Sequence, residues 1–139
     1  TDMTIFFRKL SSVTKVNSAE DAFNTIKDAF YNEKELNETI LKEWKEWFGE
    51  YSIRIDEEAL LDTERKEKMD RVNPKYVLRN YMAQLCIDAA DKGDYTLLNE
   101  LYEMLKKPYD EQDRFQKWFA KRPDWARDKV GCSMLSCSS

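Results

Sequence analysis

Residues 73–108 read NPKYVLRNYMAQLCIDAADKGDYTLLNELYEMLKKP. Asn73 offers a side-chain oxygen in front of Pro74, whose fixed φ suits a first helical position, so the spacing predicts a helix starting here. Tyr76, Val77, Leu78, Tyr81, Met82, Leu85, Ala89 and Ala90 follow at helical intervals. Gly93 stands where a left-handed residue ends a helix. Asp94 or Thr96 then starts a second helix with Leu97, Leu98, Leu101, Met104 and Leu105 as its face, and Pro108 lies beyond its end. The stretch predicts a helical hairpin. Cys86, flanked on its helix by Met82 and Ala90, reads as a buried small hydrophobe, with a reactive thiol as the other reading.

Working toward the N-terminus, the charge-dominated run from Asp56 to Arg71 has Leu60, Leu61 and Met69 as its apolar minority. It reads as an exposed helix or a partly ordered connector, a solvated face rather than a binding surface. Before it, Leu36, Ile40, Trp44, Trp47, Phe48 and Tyr51 recur as one helical stripe, with Lys42, Glu43 and Lys45 between them. Gly49 weakens this helix by only about 1 kcal/mol relative to Ala. The Trp44, Trp47 and Phe48 cluster reads as packing, with an aromatic ligand platform as the alternative. Asn17 or Ser18 caps an earlier helix that carries Glu20 and Asp21 in its first turn, holds Ala22, Phe23, Ile26 and Phe30 inside, and ends near Asn32. In Asp2 to Val13, Ile5, Phe6 and Leu10 form an apolar face widened by Phe7, and Arg8 and Lys9 are expected to turn outward.

Toward the C-terminus, Asp110 is placed to cap a short helix holding Phe115, Trp118 and Phe119, and Pro123 and Trp125 mark a turn with a last anchoring aromatic. Beyond Lys129 the sequence changes to VGCSMLSCSS, small and polar with two thiols and no periodicity. Residues 1–129 thus read as an all-α, irregular multi-helix region, and residues 130–139 as a flexible cysteine-containing tail unless something holds it.

Composition sets limits on function. Of 139 residues 42% are hydrophobic and 36% charged, a balance suited to a folded core, while three Gly and three Pro leave few places for tight turns. The net charge of −4 argues against a phosphate-backbone binder, so no nucleic-acid partner is expected. No run of about 18 apolar residues occurs, so no membrane partner is expected either. Histidine is absent, which removes Ser-His-Asp and Cys-His catalysis and His-ligated zinc. Three cysteines, Cys86, Cys132 and Cys137, are too few for a disulfide scaffold or a four-thiolate zinc site. Thr1 in place of an initiating Met suggests a piece of something longer.

The run Asn73-Pro74-Lys75-Tyr76-Val77-Leu78-Arg79-Asn80-Tyr81 is followed by Ile87-Asp88-Ala89-Ala90, Lys92-Gly93-Asp94-Tyr95, Pro108-Tyr109-Asp110-Glu111-Gln112, Pro123-Asp124-Trp125 and Cys137-Ser138-Ser139. In order and spacing this resembles the C-terminal portion of selenoprotein O-type proteins. Thr1-Asp2-Met3-Thr4, Phe6-Phe7-Arg8 and the Trp44, Trp47, Tyr51 cluster are similar to the preceding part, so the likeness covers essentially the whole chain.

The resemblance implies the C-terminal part of a protein-kinase-like fold, a pseudokinase in which ATP sits inverted and AMP passes to hydroxyl side chains of protein substrates. ATP and Mg²⁺ or Mn²⁺ are the implied cofactors of the parent, an adenylyltransferase (AMPylator). Its nucleotide and metal ligands are implied to lie before Thr1. The 139 residues contain no Gly-rich loop, no strand bearing a phosphate-pairing Lys and no metal-binding Asp-Phe-Gly-like triplet, so no catalytic, cofactor-binding or metal residue is carried over. The expected partners are the upstream kinase-like lobe of the same chain and the parent's protein substrates. A eukaryotic source would imply mitochondrial localisation, any other a cytoplasmic one.

One functional position maps onto the sequence. The family carries selenocysteine or cysteine third from its end, here Cys137, and is linked to redox control of adenylylation. Cys137 is therefore the candidate redox residue, with an inert surface thiol as the alternative. A terminal thiol has the access that thiol–disulfide exchange needs, but the nearby carboxylate would tend to raise its pKa, so another part of the parent must activate it. Cys132, five positions away, is a second redox candidate; the partner of Cys137 is left open between Cys132, an upstream cysteine and glutathione. Two other functions stand beside this: a stand-alone helical interaction module docking a partner through its aromatic faces, and a small thiol oxidoreductase, which lacks the Cys-x-x-Cys that such enzymes place at a helix start.

Overall fold

Among the described residues six α-helices carry the regular structure, α1 (Met3–Leu10), α2 (Ala19–Ile26), α3 (Glu38–Glu57), α4 (Asp62–Val72), α5 (Asn80–Ala90) and α6 (Thr96–Leu105), with short 3-10 turns at Lys27–Ala29, Asp113–Trp118 and Asp124–Ala126. The computed structural model describes residues 1–32, 36–129 and 131–132, and among these there is no strand. An all-α architecture is what the scarcity of Gly and Pro predicts. No described helix is long and apolar enough to cross a membrane.

Five of the six helices start on a side-chain oxygen that accepts an otherwise free backbone N–H. Asp2 accepts from Ile5 at 3.1 Å, Ser18 from Asp21 at 3.1 Å, and Asn37 from Ile40 at 3.0 Å. Glu64 reaches back to the N–H of Leu61 at 3.1 Å, and Asp94 accepts from Thr96 at 2.9 Å. Helix α2 stops at Ile26, and a 3-10 turn completes the segment by Ala29, short of the expected end at Asn32.

The chain forms two compact units, Thr1–Pro74 and Lys75–Ser139. In the first, α1 packs on α2 and α4, and α2 packs on α3. Ile5, Phe6, Leu10, Phe23, Ile26, Phe30 and Phe48 are buried, as their periodicity predicts, and so is Ile55 further along α3; full burial of each stabilises by about 1.5–3 kcal/mol. The charge-rich run resolves into α4, a true helix. Arg8 corrects the expectation that it faces water: it is 6% exposed and donates from Nη1 to the carbonyls of Asp70 at 3.0 Å and Asn73 at 3.1 Å. The last carbonyls of α4 lack helical partners, and a planar guanidinium satisfies two at once.

Asn73 also differs from expectation. It closes α4 instead of opening the next helix, with its backbone N–H and its side-chain amide both donating to the carbonyl of Met69. Pro74 explains this, because a proline pushes the residue before it out of helical geometry, and Asn73 sits at φ −110°, ψ 103°.

In the second unit, residues 75–79 stay outside helix, and the first two are tied to a distant carbonyl. Lys75 and Tyr76 both donate to the carbonyl of Pro108, at 2.8 and 3.0 Å. Helix α5 begins at Asn80. The hairpin itself is as predicted: Gly93 takes φ 80°, and α5 packs on α6. Tyr76, Tyr81, Met82, Cys86, Leu101, Met104, Phe115, Ala126 and Cys132 make one apolar cluster. Leu98, expected on the inner face of α6, is 48% exposed. Leu98 instead shares the outer face of α6 with Tyr95 and Tyr102, opposite the buried Leu101 and Met104. Phe115 and Trp118 lie on a 3-10 turn that begins without a side-chain cap, so Asp110 does not serve as one.

Candidate functional site

The thiols diverge in environment. Cys86 is buried within the second unit's core, and burial pushes its pKa up, as befits a packing residue. Cys132 is completely buried, beside a small cleft lined by Arg79, Asn80, Tyr81 and Arg122. Both are free of disulfides. Cys137 lies outside the described residues.

The segment leading to Cys132 is laid along α5. Asp88 is the hinge point of that attachment: one carboxylate oxygen pairs with the ammonium of Lys129, and the other accepts from the side-chain amide of Gln84 at 2.7 Å. Hydrogen bonding by Lys129, and secondarily by Gln84, holds the Asp88 carboxyl below the usual carboxylate range. The stem of the segment adds apolar contact. Trp125 meets Tyr81 edge-on with ring centroids 6.1 Å apart, and the Lys129 ammonium lies 5.7 Å from the Trp125 ring centre. A turn then follows, in which the Cys132 N–H donates to the Lys129 carbonyl at 3.0 Å. Gly131 adopts φ 88°, which favours glycine, and a Cβ there would displace the end of the Gln84 side chain.

The aromatic cluster of the first unit is a packed ladder. Trp44 contacts Phe6, Phe23, Phe30 and Phe48, and Trp47 stacks on Tyr51 with centroids 5.2 Å apart and planes 7° from parallel. Phe48 is buried, whereas Trp47 keeps 38% of its surface exposed. Packing accounts for most of this cluster, and a shallow groove lined by Glu43, Trp44 and Trp47 remains on its outer side.

Three buried cations escaped the reading of the sequence. Arg8 is described above. Arg65, 4% exposed, donates to the Val13 carbonyl, to Asp62 Oδ1 at 3.3 Å and to the Tyr51 hydroxyl at 3.3 Å. Lys75, 6% exposed, is held by Glu111 and by Gln116 Oε1 at 2.7 Å, with the rings of Tyr76 and Phe119 at 5.6 and 5.2 Å from its nitrogen. A signal existed for the arginines: Arg8 is three residues from Ile5 and Arg65 four from Met69, so each shares a helix face with apolar neighbours. Lys75 and the Asp88–Lys129 pair depend on partners 36 and 41 residues away, which no local pattern encodes.

Comparison with known proteins finds relatives that are named for nucleotidyl transfer. The family model described as "Protein adenylyltransferase SelO" matches residues 1–106. A "Protein nucleotidyltransferase YdiU" of Flavobacterium johnsoniae is 65% identical over 139 residues, covering 100% of this chain and 27% of the relative. Proteins of the same name from Methylobacillus flagellatus and Tolumonas auensis are 47% and 49% identical over 138 residues, each alignment covering 99% of this chain and 26% of the relative. The chain belongs to the SelO family. It spans about a quarter of the length of the curated relatives it matches. These relatives are bacterial and lend no support to a mitochondrial address.

Proposed function

We propose that the chain is the non-catalytic helical part of a longer protein adenylyltransferase, which transfers AMP from ATP, with Mg²⁺ or Mn²⁺, to hydroxyl side chains of proteins. The observation that carries this reading is family membership across the chain combined with coverage of only about a quarter of each relative. The surface of α6 supports it. Tyr95, Leu98 and Tyr102 follow one another at three- and four-residue intervals and are 56%, 48% and 62% exposed, while Leu101 and Met104 are buried on the other side. A helix apolar on both faces is normally covered on both, as it would be by the kinase-like lobe of the same chain. In this reading Cys137 is the redox-responsive residue of the parent.

Calorimetry tests the first part. The isolated chain should show no saturable binding of ATP with either metal, whereas the whole protein should bind; micromolar binding by the isolated chain would defeat the proposal. For the second part, Cys137→Ser in the whole protein should leave adenylylation under reducing conditions nearly unchanged and alter its response to oxidant. An identical oxidant response in both proteins would remove the redox role.

A further inference from the structure

We infer that the cleft between the C-terminal half of α3 and α4 is a binding site for a small anionic amphiphile, a short aliphatic body with an oxyanion head. The inference stands apart from the adenylyltransferase reading and takes nothing from it. The cleft holds about 310 Å³ and lies within the first unit. Helical spacing builds it: Tyr51, Arg54, Ile55 and Glu58 recur at three- and four-residue steps along α3 and its end, and Arg65, Lys68 and Met69 do the same on α4. Ile55, Leu60 and Met69, with Tyr51, give the cleft its apolar lining. Three cations, Arg54, Arg65 and Lys68, line it against one carboxylate, Glu58, in a chain whose net charge is −4.

The fold does not use up these cations. Lys68 is exposed and has no ion pair or hydrogen bond among the described residues. Arg54 meets Glu58 only at 3.9 Å, with 72% of its side chain exposed, a pairing that contributes little. Arg65 is different, since its side chain is 5% exposed and its Nη atoms serve Val13, Asp62 and Tyr51. Its Nε nevertheless lies buried with no hydrogen-bond partner. A buried donor without an acceptor is costly, and a positive charge beside an apolar wall draws an anion more strongly than one in open water. A bare inorganic anion would leave the apolar lining wet, and an uncharged hydrocarbon would leave the cations without a counter-charge. One molecule carrying both parts answers both. Small-ligand pockets begin at about 300 Å³, so the cleft suits a short chain and not a whole lipid.

The test titrates the whole protein by calorimetry with octanoate, octyl phosphate, octanol and octylamine, which share one chain length, and locates the site by hydrogen exchange. At least one of the two anions should bind saturably, with Kd on the order of 0.1–1 mM for about ten heavy atoms, and the tighter of the two names the head group. Octanol should bind at least tenfold more weakly, and octylamine should not bind. Ligand-dependent protection should fall on residues 51–69. Arg54→Gln together with Lys68→Gln changes two exposed side chains and should weaken the anion at least tenfold. The charge-keeping pair Arg54→Lys with Lys68→Arg should stay within threefold of wild type. Lys42→Gln with Lys106→Gln removes the same charge at two other exposed sites and should leave binding unchanged. Absence of saturable binding by both anions, octanol binding as tightly as the better anion, or protection elsewhere in the chain would overturn the inference. So would wild-type affinity in the first double variant, or an equal loss in either of the other two.

Discussion

The two units bury positive charge in different ways. Thr1–Pro74 uses guanidinium groups: Arg8 takes two carbonyls at the end of α4, and Arg65 reaches oxygens on more than one segment. Lys75–Ser139 uses an ammonium, Lys75, set against two rings with a carboxylate and an amide oxygen at its tip. A fork satisfies carbonyls that nothing else could reach, whereas a point charge mainly completes a packed box. Loss of the first leaves orphaned acceptors; loss of the second leaves little besides a gap.

The largest expected effect follows directly. Arg65→Met should destabilise the first unit by about 3–5 kcal/mol, because Val13 and Asp62 lose a buried partner. Arg65→Lys should recover less than half of that, since an ammonium cannot serve Val13, Asp62 and Tyr51 together. Denaturant unfolding followed through Trp44 and Trp47, with Trp118 and Trp125 replaced by Phe, reports this unit alone. Lys75→Met should cost about 1–2 kcal/mol in the reciprocal experiment, since the thioether keeps its stem between Tyr76 and Phe119. A larger loss at Lys75 than at Arg65 would break the comparison.

Within the second unit, Gly131→Ala should cost more than Gly93→Ala. Both have positive φ, a strain of about 1 kcal/mol for Ala, but only Gly131 also meets a side chain, that of Gln84. Equal losses in unfolding experiments would mean that Gln84 swings aside freely. The smallest effect is in pH. Asp88 has its pKa lowered in the folded state, so the contribution of its pair is complete above the ordinary carboxylate pKa of about 3.9 and is lost as pH falls through the lowered folded value. Amide shifts of Gly131 and Cys132 should move in that acidic window and stay put in Asp88→Asn.

Much of the helical layout is legible in the sequence, since the apolar periodicity, the cap at Ser18 and the left-handed Gly93 act over three or four residues, while the caps at Asp2 and Asn37 came only with the structure. The start of α5 is not legible. Asn73 and Pro74 carry a good local signal for a helix, yet the residues after them are tied by two hydrogen bonds to Pro108, a residue more than thirty positions away. The inward turn of Arg8 is half legible, because helical spacing places it with Ile5 while its charge argues for water; the open carbonyls of α4 decide the matter. Family kinship was readable from motifs spread along the chain. The Asp88–Lys129 clasp was not, being a pairing of two ordinary surface residues brought together only by the fold of the hairpin and the turn at Trp125.

The hold of Pro108 and Gln112 on residues 75 and 76 also constrains the order of assembly. Tyr76 donates its hydroxyl to the Gln112 carbonyl across 36 positions. During synthesis at about 5–20 residues per second, roughly 2 to 7 s separate the making of the tyrosine from the making of its acceptor. For that interval one of the most deeply interred rings of the second unit has nowhere to go. The nascent peptide therefore carries an unsheltered aromatic that a chaperone could grasp, released only when the hairpin behind it has closed.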